Sequence, residues 1–289
     1  MKKLILVFII ALFTFLAPNS TLGDAVYGEV IVTLGENLTE DQKKQLLLEM
    51  DVDEDVEIIY VTNEEEHQYL GEYISKKEIG TRAISSTRIT LSESGSGLQV
   101  TTNNIKWVSE GMYANALVTA GITDADIYVT APFEVSGTAA LMGIIKAYEI
   151  TTDIEIPEEQ KQVANEEMVK TAELGDRFGV EEASELMARI KEEIAKNPVT
   201  TTEELRELIE RVAKEIGVTL TEEELTGLVS LFNRMKDLNI DWDQVQNQIT
   251  QIRENLGEFL NRDDTQSFLG KFLDVINELI NVIKGLFTK

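Results

Sequence analysis

The sequence predicts an α+β protein: an N-terminal mixed α/β sheet domain followed by an all-α helical domain. Three observations carry that prediction. Up to about residue 150, β-branched runs alternate with short helical patterns. Beyond it glycine becomes sparse and apolar residues recur at helical spacing. The second half also repeats a helix-opening device: Thr201 with Glu204, Thr221 with Glu224 and Asp241 with Gln244 each pair a capping acceptor with a side chain that reaches back from three residues on. The change of character falls at Thr151-Thr152-Asp153-Ile154-Glu155-Ile156-Pro157. The expected division is therefore a signal peptide at 1–25, a mixed α/β domain at 26–150, a linker at 151–157 and a helical domain at 158–289.

The leader comes first. Lys2 and Lys3 are followed by an apolar run from Leu4 to Ala17, broken only by Thr14, and then by Pro18 and small or polar residues. That order is the signature of export. The run falls short of the roughly 20 apolar residues that a membrane anchor needs. Cleavage is expected after Gly23 or after Ala25, leaving no transmembrane helix.

Glu29 to Leu34 reads as a strand closed by Gly35, and Thr39 with Gln42 forms a capping box for the next helix. Val56 to Thr62 reads as a second strand. Asn63 is expected to cap a helix whose Tyr69, Leu70, Tyr73 and Ile74 share one face. Ala83 to Leu91 and Leu98 to Ile105 read as a hairpin around Ser94-Gly95-Ser96-Gly97, where glycine supplies positive φ without penalty. Ser109 caps a helix of about 110–120. Ile127 to Thr130 is a strand leading through Ala131-Pro132-Phe133 into a helix of about 138–147. The order β-α-β-α-β-β-α-β-α suggests one mixed sheet with helices packed on it.

In the second half, helices are expected at about 157–174, 180–195, 202–216, 222–238, 242–260 and 265–286. Pro157 suits a first helical turn, where its missing N–H would have no partner anyway. Across 268–287 an apolar stripe includes Leu269, Phe272, Ile276, Ile280 and Ile283. Its width is that of a core-facing side. A membrane surface is the other destination, and the polar side lacks the Lys and Arg richness that such helices show.

Composition narrows function. The formal charge is −26 and grows more negative once Lys2 and Lys3 leave, so nucleic acid and anionic lipid are repelled. There is no cysteine and one histidine. A thiol nucleophile, disulfides and a histidine zinc cluster are therefore unavailable. A Ser-His-Asp triad would have to use His67, which stands behind Glu64, Glu65 and Glu66 on an expected helix surface with no nucleophile elbow in the chain. No catalytic residue, cofactor or metal is assigned. Asp51-Val52-Asp53-Glu54-Asp55 resembles the start of a calcium loop, but Val56 takes the glycine position and Thr62 the place of the bidentate glutamate. Those carboxylates leave room only for a weak, water-rich calcium site.

Two segments stand out as a candidate ligand site. Ile79 to Ser86 sets Arg82, Ser85 and Ser86 around a strand start, and Thr130 to Leu141 carries Pro132, Ser136, Gly137 and Thr138 from a strand end to a helix start. Exposed N–H groups there suit an anion. Tight packing and ordinary capping explain the same residues without a ligand.

At these segments the chain resembles the YpuA-like exported proteins of Bacillus and clostridia, catalogued as domain of unknown function 1002. The matching stretches are Gly28 to Gly35, Thr62 to Leu70, Gly80 to Ser86 (G-T-R-A-I-S-S), and Met112 to Ala147 with its T-A-P-F-E-V-S-G-T-A-A-L core. The T-T-E-E-L-R run at Thr201 to Arg206 and L-N-I-D-W at Leu238 to Trp242 extend them. The resemblance implies a secreted or envelope-associated Gram-positive protein and supplies no catalytic residues. The leading expectation is a non-enzymatic module that binds an envelope protein or polymer. The alternatives are a hydrolase working through two carboxylates on cell-wall material and an acidic surface that meets calcium or a polycation.

Overall fold

The computed structural model describes residues 27–260, residue 54 excepted, and the side chains of all of these but 77, 78 and 253–260. The leader, its cleavage points and the helix expected at 265–286 lie outside the described residues. The architecture is α+β. In chain order the elements are β1 (Val30–Gly35), α1 (Glu40–Glu49), β2 (Glu57–Val61), α2 (Asn63–Leu70), α3 (Lys76–Ile79), β3 (Ser86–Leu91), β4 (Leu98–Ile105), α4 (Glu110–Ala120), β5 (Ala125–Val135) and α5 (Thr138–Thr152). A run of helices follows: α6 (Glu158–Phe178), α7 (Val180–Lys196), α8 (Thr202–Glu215), α9 (Glu222–Asp237) and α10 (Trp242–Leu260).

The five strands form one sheet in the order β2-β1-β3-β5-β4. β1 is parallel to β2 and β5 to β4, while β3 runs antiparallel between β1 and β5. Four strands therefore point the same way. Alternation along β1 divides its two faces: Val32 and Leu34 join Leu46 and Met50 beneath α1, and Ile31 joins the larger core with Ile89, Ile127 and Val129. Gly143 lets α5 approach the sheet closely, because a Cβ there would stand 2.6 Å from Thr33 Oγ1.

The expected hairpin is corrected. β3 and β4 run in opposite directions, as the turn signal requires, but β5 lies between them. A turn fixes reversal, not adjacency. Asp124, just before β5, accepts N–H bonds from Gly95 and Gly97 at 2.9 Å each and holds the loop around the start of the inserted strand. The strand expected at 127–130 runs on to Val135. Pro132 is tolerated because β3 pairs only as far as Thr130 and the β4 ladder shifts register between Asn103 and Ile105, so no ladder bond needs its N–H. Residues 83–85 are not strand, since Ala83 is held by Asn37 through paired bonds of 3.2 and 2.8 Å. Thr62 with Glu65, rather than Asn63, caps α2.

The capping boxes at Thr39, Thr201 and Thr221 are present. The composition boundary lies at the end of α5, which continues through Thr152. One buried cluster runs across it, joining sheet residues to Ala164, Met168, Ala188, Val245 and Ile249, while α7, α8 and α9 enclose a second around Leu186, Ile209 and Phe232. The helical half thus has a core of its own and also completes that of the sheet.

Candidate functional site

Four strands that point the same way bring their carboxyl ends to one rim of the sheet, the side on which open α/β sheets bind ligands. There a recess of about 300 Å³ opens between α2, the segment 79–85 and the junction of β5 with α5. Its polar lining includes Glu66, Arg82, Ser85 and Ser136; Ile79, Ile84, Phe133 and Val135 supply apolar wall.

Each side chain is placed by local rules. Gly80 takes φ +83° as α3 ends, and the half-buried His67 donates from Nε2 to its carbonyl at 2.9 Å, so the loop is pinned to α2. The histidine expected on a solvated helix surface is thus a loop anchor. Beyond the loop Arg82 is exposed and has no ion pair among the described residues. Ser85 is only 4% exposed, and its hydroxyl has no hydrogen bond among them.

Glu66 forms the interior wall. Its carboxylate accepts from Thr138 Oγ1 at 2.5 Å and from Asn63 Nδ2 at 3.2 Å, and Ser136 and Thr138 share a hydroxyl contact of 3.1 Å. The carboxylate thus meets the first turn of α5, whose N-cap Gly137 offers no side-chain bond. Burial pushes the Glu66 carboxyl above the usual carboxylate range, and the bonds from Thr138 and Asn63 and the nearby His67 only partly offset it.

Of the residues singled out in the sequence, Arg82, Ser85 and Ser136 come together here, and Thr138 stands behind them holding Glu66. Ser86 is fully buried and donates to Ile84 O at 3.3 Å, away from the lining. Pro132 is half-buried in β5 and does not line the recess. Gly137 is structural: at φ +96° its carbonyl accepts from Tyr113 Oη at 2.5 Å. Glu66 is the residue that the sequence reading missed. At the acidic turn after α1, Asp51 takes φ +50°, and among the described residues no group of three His, Cys, Asp or Glu is placed to hold a metal.

A family model described as "Protein of unknown function (DUF1002)" matches residues 34–252, a span that contains the whole recess. The chain belongs to this family. Over 278 residues it is 48% identical to a Bacillus subtilis (strain 168) protein described as "Uncharacterized protein YpuA", covering 96% of each chain. No solved structure matches.

In this DUF1002 member the raised Glu66 carboxyl has a stability consequence. A group whose pKa is higher folded than unfolded stabilises fully below its unfolded value and loses that contribution as pH rises through the folded one. Glu66→Gln keeps the acceptor for Thr138 and removes the buried charge. Thermal melts should show the variant a few degrees more stable than wild type at about pH 8 and little changed at about pH 4. A lower melting temperature at both pH values would contradict the burial assigned to this carboxyl.

Proposed function

We propose that the protein is an exported, envelope-facing binding module whose ligand enters the recess at Glu66, Arg82, Ser85 and Ser136. The observation that carries this reading is Ser85. Ser85 is otherwise buried, but its hydroxyl is not sealed in the interior: it opens onto the recess with no described protein partner, so a ligand can take its hydrogen bond without displacing another. Beside it, Arg82 offers a guanidinium with no described counter-ion. Unspent polar groups converging in a concavity are what a ligand site requires.

Binding is favoured over hydrolysis by the lining itself. Glycoside hydrolysis needs two carboxyl groups flanking the scissile bond, and among the lining residues Glu66 is the only carboxylate. His67, the single histidine, already donates to Gly80. The leader at 1–25 supports export, and among the described residues no helix is long and apolar enough to cross a membrane.

Isolated envelope material should retain the wild-type protein, and retain Arg82→Gln at least ~10-fold less, the loss of one charge-assisted hydrogen bond. The variant should melt like wild type, because Arg82 is exposed and has no described ion pair to lose. Equal retention of both forms would remove the recess from the function. The retained chain should begin at Asp24 or Val26, whereas an intact chain from Met1 found in the cytosol would overturn the compartment.

A further inference from the structure

The recess has opposite charges on two walls. Arg82 stands at the mouth and Glu66 inside, and the two are not ion-paired with each other. If Glu66 stays neutral, an unoccupied recess presents one cation. If it ionises, the interior presents a buried anion whose described hydrogen-bond partners, Thr138 and Asn63, are neutral donors, and the nearby His67 offsets its burial only in part. A ligand ammonium is the group that would stabilise that ionised form in a partly desolvated place.

At the other end, a carboxylate matches what is unspent. The planar guanidinium binds a carboxylate through two parallel N–H bonds, and the free Ser85 hydroxyl supplies a third donor. A dianion such as phosphate fits less well: Arg82 is the only cation among the lining residues, and the whole protein carries a formal charge of −26 that repels any net anion on approach. A ligand that is neutral overall, yet carries both charges, escapes that repulsion. Phe133, 43% exposed, with Ile84 and Val135, gives the carbon skeleton an apolar wall. The volume of about 300 Å³ lies at the lower end for small-molecule sites and suits a small ligand.

We infer that the recess takes a zwitterionic amino acid or dipeptide with an apolar side chain, its carboxylate held by Arg82 and Ser85, its ammonium by Glu66, and its side chain against Phe133 and Val135. This rests on the recess being the binding site.

Calorimetric titration with alanyl-leucine, N-acetyl-alanyl-leucine and alanyl-leucinamide tests it. The wild-type protein should bind the free dipeptide at least ~10-fold tighter than either blocked form, because each block removes one charge-assisted contact. Arg82→Gln should abolish the preference over the amide, and Glu66→Gln the preference over the acetylated form. Equal affinity for all three probes, or no binding of the free dipeptide, would overturn the ligand class. If that happens while envelope material still retains wild type and releases Arg82→Gln, the recess survives and only the zwitterion fails. If retention is also indifferent to Arg82, both fall.

Discussion

Replacing Lys191 with Met should cost about 3–5 kcal/mol of folding stability, the usual penalty for breaking a buried ion pair from one side. Lys191 on α7 and Glu167 on α6 are both fully buried, with Nζ 2.5 Å from Oε1. Nζ also donates to the carbonyl of Asn115 on α4 at 2.7 Å, and Thr119 donates to the other Glu167 oxygen at 2.5 Å. Burial drives the Lys191 pKa down, and the charge and hydrogen bond of Glu167 oppose that shift without cancelling it. With Met at 191, Glu167 Oε1 would lose its only described partner and leave a carboxylate in an apolar interior. The double variant Lys191→Met with Glu167→Leu should recover at least half of the loss, since a well-packed apolar pair can replace a buried ion pair with little penalty. Urea denaturation of the three proteins measures this. A single-variant cost below ~1 kcal/mol, the value of a surface pair, would show that the contact is not desolvated. Asn115 also donates to Ser184 O, so this polar knot pins α4, which lies over the sheet, to the helical half at several points.

Gly137→Ala should be nearly as damaging. At φ +96° any L side chain is strained, a cost of about 1–3 kcal/mol. A Cβ there would also stand 2.5 Å from both Ile105 Cγ2 and Tyr113 Oη. Tyr113 cannot yield, because it is fully buried and its hydroxyl donates to the Gly137 carbonyl. Overpacking of this kind adds about 1–3 kcal/mol. Gly217→Ala is the control: φ there is +82° and nothing lies within 4 Å of the added carbon, so only the backbone term applies. Denaturation should show Gly137→Ala as the clearly less stable of the two. Equal losses would mean that the β5–α5 junction has room to relax, and with it the positions of Ser136 and Thr138 at the recess.

Local devices were legible in the sequence, and non-local placement was not. Thr39 with Gln42 and Thr201 with Glu204 satisfy backbone groups within three residues, so their reading needs no knowledge of the rest of the chain. The neighbours of β4 depend instead on where β5 inserts, and nothing in Ser94 to Gly97 encodes that. Glu66 shows the same limit. Its carboxylate is bonded by Thr138, 72 residues away, although one local signal existed. Glu66 stands four residues before Leu70 and eight before Ile74, both buried, and so shares the inward side of the segment that α2 opens. A carboxylate on an apolar stripe is the pattern that marks it.

The most direct test of the recess as the binding site is hydrogen exchange across the whole chain, with and without solubilised envelope material. Protection is expected in the segments 79–85 and 133–139, with exchange over α8 and α9 unchanged. Protection confined to α8 and α9, or none anywhere, would contradict it.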